Sequence, residues 1–125
     1  MTSTDLDRLR SRARRRRALE QEILHWSRQL RERPDDAGAF FQRGNAFRRK
    51  GQLIAALCDF NSALRLQSWL AEAYFYKAIT CAALGYRLEE INAYGRFLEL
   101  SQGKRSELTD GVRRRLKQIE RPPTA

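Results

Sequence analysis

The residues able to do chemistry are few, and most of them are arginines. Arg8, Arg10, Arg12, Arg14, Arg15, Arg16 and Arg17 fall within ten consecutive residues. Guanidinium forks match phosphate oxygens, so this run could hold a nucleic acid, a ribosome surface or another polyanion. No aromatic side chain is interleaved in it to stack on bases, and a charge run is more often a solvated terminus. His25 is the single histidine, and Cys58 and Cys81 are the two cysteines, without Cys-x-x-Cys spacing. That inventory builds no metal site. The cysteines read as reduced, mostly buried, small apolar residues of a cytoplasmic protein. Glu89 and Glu90 are sequence neighbours on a helix and point about 100° apart, which is wrong for a shared acid–base pair. The glycines are dispersed and form no phosphate-binding pattern, and no Ser-His-acid set has a sequence rationale. The reading is therefore of a chain that is not an enzyme and takes no metal and no cofactor.

Such a chain acts through its surface, and the elements that shape that surface follow from composition. In 125 residues there is room for one continuous core. The apolar share of 42% and the charged share of 32% suit thin helical layers with much surface per unit core. The net charge of +10 is uneven: residues 1–33 carry +5, residues 34–103 carry +1 and residues 104–125 carry +4. A uniformly basic chain would point to nucleic acid more strongly than one with a near-neutral middle and basic ends. The N-terminus has no apolar signal region, and Asp5 and Asp7 argue against a mitochondrial presequence. The most apolar stretch, Trp69 to Tyr86, is interrupted by Glu72, Lys77 and Gly85 and is too polar to span a bilayer. A cytoplasmic location is expected.

The middle of the chain repeats itself every 34 residues. Leu30, Leu64 and Leu98 share this spacing, as do Trp26, Phe60 and Tyr94, and Ile23, Leu57 and Ile91. Residues 37–70 and 71–104 agree at Ala37/Ala71, Ala39/Ala73, Phe41/Phe75, Gly51/Gly85, Leu64/Leu98 and Leu66/Leu100. Gly44/Ala78 and Phe60/Tyr94 agree in character. A period of this length marks stacked supersecondary units. Within each unit, apolar residues recur at three- and four-residue spacing in two runs, which predicts two short helices. Gly51 and Gly85 divide the halves, and Asp35, Asp36 and Ser68 are suitable N-caps. Short loops make each helix pair antiparallel.

This pattern resembles the tetratricopeptide repeat. Residues 37–70 supply Phe40, Gly44, Phe47, Gly51, Ala56, Phe60 and Ala63, with Ser68 where the family has proline. Residues 71–104 supply Tyr74, Ala78, Gly85 and Tyr94 but carry Cys81, Glu90 and Phe97 where the family prefers an aromatic and two small residues. Residues 20–36 look like the second helix of an earlier, degenerate repeat. The resemblance implies an all-α stack of helical hairpins, two full repeats with flanking helices. Its domain reading is a basic arm or helix extension at 1–18, a repeat domain at 19–121 and a tail at 122–125. The repeat domain divides into repeats at 37–70 and 71–104 and a capping helix at 105–121.

At the N-terminus Thr4 or Asp5 could cap one long helix reaching about Arg33, because no Gly or Pro interrupts it. Its first half is expected to stand in solvent or fray. Beyond Gly103, Leu108, Val112, Leu116 and Ile119 form one stripe of a helix that ends before Pro122. Arg113, Arg114, Lys117 and Arg121 lie on its other face.

In the family, the first helix of each pair lines a groove for partner peptides. By position that groove would be lined here by Phe41, Gln42, Asn45, Arg48 and Arg49, then Glu72, Phe75, Tyr76 and Ile79. Phe41 and Phe75 add a second apolar row to helices that already have a packing row, so a ligand, a neighbouring repeat or the cap helix must cover it. The subclass that clamps a C-terminal carboxylate is disfavoured: Asn45 fits, but Phe41 replaces a lysine, and Ser106 and Asp110 replace later basic residues. The resemblance thus implies an adaptor or chaperone whose partner is another protein or peptide segment, apolar or amphipathic. Small bacterial type III secretion chaperones resemble the chain in size and repeat type. Polyanion binding by the arginine run is the alternative, and self-association through the open N-terminal face is a third.

Overall fold

The computed structural model describes residues 2–120, so the 122–125 tail and Arg121 lie outside the described residues. Among the described residues there are six helices and no strand: α1 (Ser3–Glu32), α2 (Ala37–Lys50), α3 (Leu53–Leu66), α4 (Ala71–Leu84), α5 (Arg87–Leu100) and α6 (Glu107–Glu120). Each packs on the next in chain order, and α2 also touches α4, so the first helices of the two pairs lie side by side.

The helix ends follow local chemistry. Gly51 and Gly85 close α2 and α4 in the left-handed region, with φ of 88° and 78°. There Gln52 and Tyr86 each donate a backbone N–H to a carbonyl five residues back, Phe47 and Cys81, both at 2.9 Å. A side chain at either glycine would be strained, which is why the repeat keeps glycine there. Asp36 caps α2 by accepting from the Ala39 N–H at 3.0 Å. Two expected caps are corrected. Ser68 lies in the turn before α4, whose N-cap is Leu70 without a side-chain bond. The long helix is capped by Thr2 rather than Thr4 or Asp5: Thr2 accepts from the Asp5 N–H, and the Asp5 carboxylate accepts from the Thr2 N–H, each at 3.2 Å. This is a reciprocal capping box with Asp in the place Glu usually holds.

The Ala39 N–H and the Gln29 side-chain amide hold the Asp36 carboxyl below the usual carboxylate range. A lowered value adds stability above the ordinary carboxylate pKa and loses it as pH falls through the folded value. Asp36→Ala should cost about 1 kcal/mol at neutral pH, measured by urea denaturation. The gap between variant and wild type should close on the acid side. A gap that persists there would assign the effect to packing.

Side-chain packing divides the helices into faces. Ala78, Ala93, Tyr94, Phe97 and Val112 form a buried cluster, with Tyr74, Phe75, Leu98 and Leu116 packed on it. In the first pair, Phe60 is fully buried and its ring closes on Gly44. Leu19 and Leu30 are the buried residues of α1, and residues 3–18 are exposed along a continuous helix. Cys81 is buried, which pushes its thiol up. Cys58, expected to be buried as well, is exposed, because it sits two residues from Phe60 and so on the far side of α3. Leu108, expected in the inward stripe of α6, is also exposed and lines a pocket, because the first turn of α6 turns Thr109 inward in its place.

Two ion pairs lie inside this frame. Arg43 donates twice to Asp59, at 2.7 and 2.8 Å, and once to Ser27 Oγ at 3.2 Å, tying α1, α2 and α3 together. Arg115 donates twice to Glu90, at 2.8 and 3.2 Å, and ties α6 to α5.

Candidate partner-binding face

Phe41 and Phe75 occupy the same position in successive pairs, five residues into α2 and α4. Tyr76 bridges them: its ring lies 5.8 Å from Phe41 and 5.3 Å from Phe75, the latter edge-on. Inward, Phe41 meets Phe60 at 6.0 Å, and Phe75 meets Phe97 at 5.4 Å and Tyr94 at 6.2 Å. The row is therefore half-buried, neither wholly core nor wholly surface. The contacts arise because α2 and α4 are adjacent, so Phe41 on α2 meets Tyr76, the residue after its own equivalent Phe75, on α4.

Two apolar pockets open beside this row. One, of about 290 Å³, is lined by Phe41, Trp69, Leu70, Ala71, Glu72 and Ala73. The other, of about 540 Å³, is bounded by Phe75, Tyr94, Leu108, Gly111 and Val112 with Ser106 and Glu107 at its rim. Trp69 is 66% exposed and Leu108 47%, so both pockets have an uncovered apolar wall. The two pockets lie at the N-terminal ends of α4 and α6. The cap helix thus covers the second pair only in part.

Charge is graded along the same helices. Arg48, seven residues beyond Phe41 on α2, stacks its guanidinium 4.9 Å above the Tyr76 ring and donates to Asn45 Oδ1 at 2.8 and 3.1 Å. That cation–π contact fixes Tyr76 and leaves a basic group beside it. Gln42 is exposed and Ile79 half-buried on the same faces. Arg49 is turned away: it pairs with Glu22 of α1 at 3.1 Å. Ser106 is used in capping α6, bonded to Thr109, and Asp110 faces Arg105 at 3.7 Å and Arg113 at 3.4 Å. Neither of them offers a cation to a carboxylate.

Of the sequence-predicted residues, the structure gathers Phe41, Asn45, Arg48, Phe75 and Tyr76 and separates Arg49 from them. Sequence reasoning missed Trp69, Leu70, Leu108 and Gly111 as pocket walls. Trp69 carried a signal, a tryptophan beside a serine in a turn, where nothing in the turn could bury it. The arginines from Arg8 to Arg17 are all exposed on α1, where Arg10 pairs with Asp7 and Arg16 with Glu20. His25 lies exposed, its ring edge-on to Trp26 at 4.6 Å. No described helix is long and apolar enough to cross a membrane.

No protein-family profile matches the sequence, and no curated protein matches it. Solved structures do match. The Yersinia enterocolitica type III secretion translocator chaperone SycD superposes with a TM-score of 0.77 at 19% identity, covering 96% of this chain and 86% of that one. The first TPR domain of Spaghetti, bound to an HSP90 peptide, gives 0.73 at 22% identity, covering 82% and 77%. The Sgt2 TPR domain from Aspergillus fumigatus gives 0.69 at 17%, covering 95% and 85%. At these identities the likeness is one of fold, and the fold is the tetratricopeptide-repeat stack.

Proposed function

We propose that this tetratricopeptide-repeat chain is a cytoplasmic protein-interaction module, an adaptor or chaperone, that holds an amphipathic segment of a partner along α2, α4 and the start of α6. The observation that carries this reading is the half-buried row Phe41–Tyr76–Phe75, flanked by one apolar pocket at each pair. The row's inner edge is already satisfied by Phe60 and Phe97, while its outer edge and the walls at Trp69 and Leu108 stay in water. Two apolar sockets, with Glu72 in one wall and Glu107 in the other and Arg48 over the Tyr76 ring, suit a segment whose apolar side chains recur at helical spacing and whose polar face is mixed in charge. That the Spaghetti domain is bound to a peptide supports the reading by analogy of fold.

The test is photocrosslinking in the producing cell with benzoylphenylalanine in place of Trp69, followed by mapping of the crosslinked peptide. One recurrent segment with apolar residues at three- and four-residue spacing is expected. Phe41→Ala with Tyr76→Ala should abolish the crosslink, since removing an aromatic anchor from a desolvated site costs about 2 kcal/mol or more of binding. The double variant should keep its helical circular dichroism with a modestly lower midpoint. A crosslink that survives in the folded double variant places the ligand elsewhere. Loss of fold makes the row core and removes the basis of the proposal.

A further inference from the structure

The exposed half of α1 is a second surface that the groove does not use. At 1.5 Å per residue, Ser3 to Ala18 extend about 24 Å, all of it exposed to solvent. By helical geometry Arg8, Arg12, Arg15 and Arg16 lie within an arc of about 100°, while Arg10, Arg14 and Arg17 lie in an arc roughly opposite. The first arc also contains Leu19, which is buried against the stack. The face of α1 that packs on α2 therefore continues as a basic face where α2 ends.

At that junction the end of α2 adds its own cations. Arg12, Arg15, Arg16, Leu19, Arg49 and Lys50 line a cleft of about 220 Å³. Glu20 and Glu22 sit at its edge, Glu20 with Arg16 at 3.5 Å and Lys50 at 3.4 Å, and Glu22 with Arg49 at 3.1 Å. Among the described residues Arg8, Arg12, Arg14, Arg15 and Arg17 pair with no carboxylate. Arginines four apart, such as Arg8/Arg12, Arg10/Arg14 and Arg12/Arg16, repel one another and weaken the helix. A closely spaced row of anions would relieve that repulsion.

We propose that this half of α1, with Arg49 and Lys50, binds the phosphodiester backbone of a nucleic-acid duplex without reading its sequence. A helix of about 10–12 Å diameter enters a major groove about 12 Å wide, and arginines on its two sides then face the two phosphate walls. Residues 3–18 contain no Asn or Gln to recognise adenine and no aromatic to stack on an unpaired base. The faces between the two arginine arcs, which would meet the base edges, hold Leu6, Leu9 and Ala13 on one side and Thr4, Asp7 and Ser11 on the other, so no arginine is centred on guanine. The apolar strip is only Leu6, Leu9 and Ala13, too little to insert into a lipid surface. This binding is independent of the groove, so the Phe41→Ala/Tyr76→Ala chain retains it.

Fluorescence anisotropy of the full chain with labelled 20-base-pair duplexes tests the proposal. Two unrelated DNA sequences should bind within about threefold of each other, with log K falling against log salt at a slope of about −4 or steeper. The matched single strand and phosphatidylglycerol vesicles should bind more weakly, and an RNA duplex separates the two sources of backbone. Arg12→Gln/Arg15→Gln/Arg16→Gln should weaken binding about tenfold or more at low salt, and Arg49→Gln/Lys50→Gln should flatten the slope by about 2. Arg10→Gln/Arg14→Gln/Arg17→Gln, which touches no part of the stack, gives a loss of the same order if both sides face phosphate. Hydrogen exchange of residues 3–18 should slow on binding. Full affinity in the first or third variant overturns the proposal, and so does tighter binding to vesicles or to the single strand. An unchanged slope in the Arg49→Gln/Lys50→Gln chain overturns the cleft.

Discussion

Arg115→Met should lower the stability of the chain by about 3 kcal/mol, read as a shift of the urea midpoint at constant slope. Glu90 is 1% exposed, and both its carboxylate oxygens are bonded to Arg115, at 2.8 and 3.2 Å. The bond to Glu90 holds the Arg115 guanidinium even more firmly protonated than an ordinary arginine. Losing one partner of such a pair leaves a charge in a place that cannot solvate it. The side chain of Arg115 is 40% exposed, so water can enter once it is shortened, which keeps the cost at the lower end of the usual range.

The companion substitution separates charge from packing. Glu90→Met with Arg115→Met removes both partners, and its stability should return to within about 1 kcal/mol of wild type or exceed it, because a buried ion pair contributes little net stability over an apolar pair of similar volume. In the single variant, hydrogen exchange should accelerate first in α6, whose docking then rests on Val112, Leu116 and the buried Thr109. A single variant that loses less than about 0.5 kcal/mol would show that Glu90 reaches water without Arg115. Equal losses in single and double variants would assign the effect to packing volume.

This pair also marks where the sequence stopped being readable. The 34-residue period was visible because packing imposes it: Gly44 and Ala78 are both buried at a helix crossing, Phe60 and Tyr94 fill equivalent core sites, and Gly51 and Gly85 share a left-handed φ. Glu90 stands where Ala56 stands in the first repeat, and an acid at a small, buried position implies a partner from outside its own helix pair. Which of Arg113, Arg114 and Arg115 answers it depends on the rotation of α6, and no local pattern sets that rotation. The same rotation lifts Leu108 out of the stripe it was expected to join. On the candidate face, Phe41 and Phe75 were found by equivalence of position. Their half-burial was not, because it depends on Tyr76, which has Gln42 as its equivalent and is held by Arg48 of the preceding helix pair. Thr2 was missed as a cap because its box closes on Asp5, with a shorter side chain than the usual Glu.

Gly44→Leu should cost about 3 kcal/mol, with a broadened thermal transition. A Cβ at Gly44 would already stand 3.0 Å from two carbons of the Phe60 ring and 3.1 Å from Asp59 Cβ. Phe60 is fully buried and has no free space to move into, and Asp59 is fixed by its two bonds to Arg43. Leucine adds three further carbons to that contact, so α2 and α3 must separate, and the Arg43–Asp59 pair that spans them must stretch. Gly44→Ala brings only the first of these costs, set against the roughly 1 kcal/mol that alanine gains over glycine inside a helix. It should fall near neutral or be mildly destabilising. Gly95 provides the control, since a Cβ there meets nothing within 4 Å. Gly95→Ala should therefore raise stability by about 0.5–1 kcal/mol. If Gly44→Ala gains as much as Gly95→Ala, the helices of the first repeat do not cross as closely as 3.0 Å implies, and the glycine is there for some reason other than the crossing. If Gly44→Leu leaves the midpoint unchanged, the close approach of α2 and α3 is absent in solution, and the register that placed Phe60 against Gly44 fails with it.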